Sequence, residues 1–202
     1  MATTRDLERG QVIHDCRPMP KYADEHTYHV YNRGAHRSAI FRKRAHYQKC
    51  IGLLGKCSAQ YRITVVAYCL MPNHYHMLAR QELGGSISRF LQTTFNAYVQ
   101  YFNTLERHSG TLFQGPAKSR LIVSDAHLMR SLVYIHTNPV RASLVRNVRD
   151  WEYSDYASWT GDSDAHFASK LLRDSLIRNG KSYREFVEAY LLRAEDSEDW
   201  EP

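Results

Sequence analysis

Four cysteines (Cys16, Cys50, Cys57 and Cys69) are spread through the 202 residues, and none of them forms a CxxC pair. That spacing excludes a zinc ribbon and offers no disulfide framework, so a reduced, cytoplasmic protein is expected. Long apolar runs are also missing. Stretches such as ITVVAYCLM fall well short of the roughly 20 residues a membrane helix needs. The first ten residues, MATTRDLERG, are charged and lack the apolar centre of a secretion signal. No internal repeat or low-complexity block appears. The length suits one domain of about 120 to 150 residues with extensions.

Acidic residues are scarce where basic ones are common. Residues 1–150 hold 21 Lys and Arg against 9 Asp and Glu, a net of +12, whereas residues 151–202 hold 6 against 12, a net of −6. The overall +6 hides this asymmetry. Arginine dominates the basic part and grips phosphates through a planar fork, which implies a polyanionic partner, most simply nucleic acid. The acidic tail is expected to shield that surface when no ligand is bound.

The β-type alternation of HTYHVYNR (26–33) predicts a first strand ended by Gly34. AIFRKRAHYQKCIGLLGKCSAQ (39–60) predicts a helix with Ile40, Phe41, Tyr47, Ile51 and Leu54 toward a core. YRITVVAYCLM (61–71) and HYHMLAR (74–80), joined at Pro72-Asn73, predict a hairpin. Beyond Ser86, an expected N-cap, apolar residues from Ile87 to Leu105 recur at helical steps. SRLIVS (119–124) predicts a fourth strand. Asp125 is then expected to cap a helix that Pro139 ends. The order β-α-β-β-α-β plus one further helix is that of an α+β, ferredoxin-like split βαβ fold with an antiparallel sheet. Two helices would cover one face and leave the other free for a ligand. The expected organisation is a flexible arm (1–24), a main domain (25–160) and an acidic, helical extension (161–202).

Residues two apart on a strand share a side, so His74 and His76 can serve one divalent cation while Tyr75 points into the layer beneath. Two histidines alone are more often polar surface positions. A second face sharpens the choice. In RSLVYIHTNP, Arg130, Tyr134 and Asn138 are spaced by four and stack along one side of a helix. They offer a guanidinium, a phenol nucleophile and an amide oxygen able to bind a hard cation. A core tyrosine and a helix-ending asparagine are the plain alternatives.

MPNHYHML, LFQGPAKSR and YIHTNPVRASLV together resemble the signatures of the REP-associated tyrosine transposases, members of the single-tyrosine HUH (His-hydrophobic-His) superfamily. The resemblance covers roughly residues 26 to 160. It implies the HUH endonuclease fold with an extra tyrosine-bearing helix. It also implies His74, His76 and Asn138 as metal ligands and Tyr134 as nucleophile. The implied substrate is a short palindrome folded as a DNA hairpin with a single-stranded flank. Relatives often carry arginine where this chain has Pro116, and Lys118 or Arg120 would replace that contact.

The expected activity is metal-dependent cleavage and rejoining of single-stranded DNA through a 5′-phosphotyrosine. The mixed nitrogen and oxygen donor set suits Mg²⁺ or Mn²⁺, and no organic cofactor is needed. Arg130, one turn from Tyr134, is a candidate for activating the phenol. Arg33, Arg37, Arg42, Lys43 and Arg44, with Lys118, Arg120, Arg141 and Arg146, are candidate DNA contacts. A monomer and a homodimer are both compatible with the sequence, and no membrane partner is expected. The alternatives are a silent hairpin DNA or RNA binder, or a rolling-circle initiator using the Tyr98-x-x-Tyr101 pair. A two-histidine metallohydrolase is weakest, because no carboxylate lies close in sequence.

Overall fold

The computed structural model describes residues 22–163 and 180–194. Residues 1–21 of the expected arm, and 164–179 and 195–202 of the acidic extension, lie outside the described residues. Tyr22 and Asp24, expected in the arm, are instead tied to the domain, Tyr22 in the core and Asp24 accepting from Gln81 and Gly84. The elements run β1 (Thr27–Arg33), α1 (Arg44–Gln60), β2 (Ile63–Met71), β3 (His74–Gln81), α2 (Ile87–Glu106), β4 (Lys118–Leu121), α3 (Asp125–Arg141), α4 (Tyr156–Thr160) and α5 (Gly180–Ala194). The strands form one antiparallel sheet in the order β2-β3-β1-β4. This is the expected split βαβ arrangement.

Alternation along β3 sorts its side chains between two cores. Tyr75, Met77 and Ala79 face α1 and α2, where Phe90, Phe95, Tyr98 and Phe102 repeat at helical spacing. Each such aromatic contributes about 1.5–3 kcal/mol by leaving water. Leu78 joins Ala67, Cys69 and Met71 on the opposite face, under Leu132, Val133 and Ile135 of α3 and Trp159 of α4. The second face, expected to be free, is therefore partly covered. α3 covers its β2 side with α4 and α5 packed around it, and the open part lies over β1 and β4. The unbroken apolar run of β2 already marks a strand buried on both faces.

Four boundaries differ from expectation. α1 starts at Arg44, not Ala39, because the Ile40 and Phe41 N–H groups donate to the Pro72 carbonyl at 2.7 and 2.9 Å. His46 Nδ1 caps the shortened helix by accepting from the Arg42 and Lys43 N–H groups. Ser124, not Asp125, is the N-cap of α3, its hydroxyl accepting from His127 N–H, and this cap shortens β4 to end at Leu121. Pro139 does not end α3, which continues to Arg141. So near the C-terminus the proline removes one helical hydrogen bond, and the buried last turn tolerates it.

The β2–β3 turn is gripped from outside. Gly34 N–H donates to the Asn73 carbonyl at 2.8 Å, next to the two bonds on Pro72. A Cβ at Gly34 would meet the Ser38 carbonyl oxygen at 2.0 Å, so only glycine fits this crossing. Gly34→Ala is expected to cost about 3 kcal/mol, the upper end for overpacking, since backbone must move. Urea unfolding checks this, and an unchanged midpoint would refute the grip.

Candidate active site

The β2–β3 hairpin delivers His74 and His76 to the α3 face, with imidazole centroids 5.1 Å apart. Between them Tyr75 points the other way, 1% exposed and stacked on Phe95. Its hydroxyl has no hydrogen-bond partner among the described residues. Tyr75→Phe should therefore raise stability by about 1 kcal/mol, the penalty of an unpaired buried polar group. A lower Tm in calorimetry would contradict that.

From above, α3 brings Tyr134 and Asn138 to the same place. The Tyr134 ring lies 5.4 Å from that of His76, and Asn138 hydrogen-bonds His74. Arg130 is exposed one turn earlier on α3. The cation over the Tyr134 ring is Arg141, 5.6 Å from its centroid. The sequence reading had counted Arg141 only as a DNA contact.

The imidazoles carry partners that fix their orientation. Asn73 Oδ1 accepts from His74 Nδ1 at 2.7 Å, so in the neutral ring Nδ1 carries the proton. His76 Nδ1 lies 3.0 Å from His29 Nε2 on β1, so its other nitrogen faces the site. Burial lowers His74, aided by Arg33 and opposed by the Asn138 hydrogen bond. Burial, then His29 and His74 nearby, holds His76 well below the usual imidazole range. Burial, with Arg120 and His127 adding repulsion, pulls His29 down to about 4. All three rings are neutral at pH 7, the state a metal ligand requires. No cluster of three His, Cys, Asp or Glu suited to a metal occurs among the described residues. A cation here would need the amide oxygen as third donor, and the two neutral imidazoles with Asn138 fit a hard divalent ion that keeps open positions.

These groups open onto a cleft of about 570 Å³ lined also by Tyr31, Arg33, Arg37 and Lys118. Its far wall is the LFQGP stretch. Gln114 N–H donates to the Arg33 carbonyl, the Arg33 guanidinium donates to Gln114 Oε1, and Asn32 Nδ2 donates to the Gly115 carbonyl. Pro116 lines the same wall. Arg120 of β4 pairs in register with His29 of β1, and Arg146 is exposed after α3. Arg42 and Lys43 pair with Glu106, and Arg44 with Glu152, so these three are already engaged with carboxylates.

Sequence reasoning missed His29, Tyr31 and Gln114. The alternation of β1 puts His29 and Tyr31 on one side. What it lacks is the register pairing Tyr31 with His76, which brings the rings to 5.7 Å. Tyr98 and Tyr101 stand on α2, across the sheet from the histidines. Tyr98 is fully buried and donates to the Ile40 carbonyl, so it is a core residue. Lys49 lies over the Tyr101 ring.

Fold and site are of the kind the IS200-like transposases share, and the model of that family ("Transposase IS200 like") matches residues 22–117, just under half of the chain. The match ends before α3. More particularly, the resemblance to the REP-associated tyrosine transposases is upheld. A Haemophilus influenzae protein provisionally named a REP-associated tyrosine transposase is 32% identical over 107 residues, which span 48% of this chain and 60% of that protein. A solved REP-associated tyrosine transposase bound to a REP hairpin shares the fold at a TM-score of 0.58 and 18% identity, covering 72% of this chain and 85% of the other. No described helix is long and apolar enough to cross a membrane.

Proposed function

We propose that the chain is a metal-dependent endonuclease and strand transferase for single-stranded DNA next to a hairpin, with Tyr134 as nucleophile. The observation that carries this reading is the convergence of Tyr134, His74 and His76 at one basic cleft, with Asn138 beside His74. Arg33, Arg37 and Lys118 would hold the backbone phosphates and orient the scissile one toward α3. The Tyr134 oxygen then attacks phosphorus and forms a 5′-phosphotyrosine as the P–O bond to the 3′ oxygen breaks. The phenol proton passes to water, and the leaving oxygen takes a proton from water to become a 3′-OH. A DNA 3′-OH later attacks the phosphotyrosine, restoring the phosphodiester and the phenol, so the bond energy is conserved.

A divalent cation, Mg²⁺ or Mn²⁺, held by His74, His76 and Asn138, would supply charge neutralisation at the scissile phosphate. A free phenol with a pKa near 10 carries a cost of about 4 kcal/mol to ionise at pH 7. Arg141 over the ring, and Arg130 one turn away, would offset part of that cost. The likeness to a structure that holds a REP hairpin supports a hairpin partner. The test is incubation with labelled hairpin-bearing single-stranded DNA and Mn²⁺, followed by a denaturing gel. A covalent complex is expected. Hairpin binding with no adduct in any metal would instead establish a silent binding protein.

A further inference from the structure

Behind the cleft, α3 is tied down by a buried polar network that the chemistry above does not use. His136 stands between Tyr134 and Asn138 in sequence and is fully buried on the side of α3 turned from the cleft. Its Nε2–H donates to Asp155 Oδ1 at 2.9 Å, and Nδ1 is left to accept the Tyr183 hydroxyl at 2.6 Å. The same carboxylate accepts from the Tyr68 N–H of β2 at 2.8 Å and from Trp159 Nε1 of α4 at 3.1 Å. One buried carboxylate therefore joins sheet, α3 and α4, and Tyr183 adds α5. A second contact leads from α5 to the phenol itself. Arg141, over the Tyr134 ring, donates to the Tyr190 hydroxyl at 3.4 Å.

We infer that α5 is a clamp that fixes the setting of the tyrosine helix, with Tyr183, His136 and Asp155 as positioning residues for Tyr134 and Asn138, and Tyr190 steadying Arg141. The inference rests on the proposed role of Tyr134. Fixing His136 fixes the rotation of α3 about its axis, and positions two residues to either side turn with it. A rotation that moved the phenol away from His76 would also move Asn138 away from His74. Fully partnered buried networks of this kind select one arrangement over near alternatives.

The full chain, wild type and Tyr183→Phe, is compared by amide hydrogen exchange, hairpin affinity and single-turnover cleavage with Mn²⁺. Tyr183→Phe deletes one hydroxyl and preserves the buried ring, so the fold is retained. The clamp predicts exchange of the amides of residues 132–138 and 140 faster by about tenfold, the scale of one lost hydrogen bond. Exchange in α1 and α2 stays unchanged, and hairpin Kd stays within about twofold while cleavage slows by about tenfold. Tyr190→Phe should slow cleavage less and leave α3 exchange alone. His136→Gln, which keeps one donor and one acceptor, should fall between wild type and His136→Leu. Unchanged α3 exchange, a rise spread evenly over the chain, or local loosening with normal cleavage would each overturn the clamp. If the wild type forms no adduct, the strand-transfer reading fails by itself, and exchange in Tyr183→Phe still judges whether α5 fixes α3.

Discussion

Tyr134→Phe is expected to yield no covalent protein–DNA complex, with strand cleavage falling by about 10⁴- to 10⁶-fold, the scale seen when a nucleophile is deleted. The change removes one oxygen. The ring that packs beside His76 and under Arg141 remains, so the cleft keeps its shape. Hairpin affinity should stay within about 0.5 kcal/mol of wild type. Tyr101→Phe, across the sheet on α2, should leave the adduct intact. The denaturing gel read beside a binding titration decides it. Adduct surviving in Tyr134→Phe and vanishing in Tyr101→Phe would transfer the chemistry to the other face of the sheet.

Asp155→Ala is expected to lower folding stability by about 3–5 kcal/mol, a large share of the 5–15 kcal/mol typical of a domain. Three donors lose their acceptor at once: the Tyr68 N–H, His136 Nε2 and Trp159 Nε1. All lie out of water, so each is left with its desolvation cost and nothing in return. Asp155→Asn should fall between, since its amide presents oxygen to some of these donors and N–H to another. Urea denaturation measures the difference. A loss below about 1 kcal/mol would mean that water or a neighbour replaces the carboxylate.

The sequence makes some of this legible and hides the rest for physical reasons. The alternation in HYHML shows that His74 and His76 share a side, because the strand period of two is local. The four-residue spacing of Tyr134 and Asn138 is local in the same sense, and the structure places both beside the histidines. His29 next to His76 depends on the register between β1 and β3, which no short stretch of chain encodes. Pro139 read as a helix end because propensity weighs the proline alone, whereas packing of the last turn of α3 decides the outcome. The covering of the second face was written in ITVVAYCLM, whose lack of alternation signals burial on both sides. Asp155 looked like one acid among many in an acidic segment. Its importance comes from burial among donors contributed by three other parts of the chain.

The alternation of β3 has an evolutionary consequence. The strand carries the histidines on one side and Tyr75 and Met77 on the other, and the gripped Pro72-Asn73 turn sets which is which. Gain or loss of one residue in that turn would bury imidazoles under α2 and swing the Tyr75 phenol into the cleft. Change can therefore accumulate at cleft positions such as Pro116, where drift would reshape what the proposed cleft holds. The hairpin's length cannot drift by a single residue without the loss of core and cleft together, so lineages of this fold should vary in what they bind long before they vary in this turn.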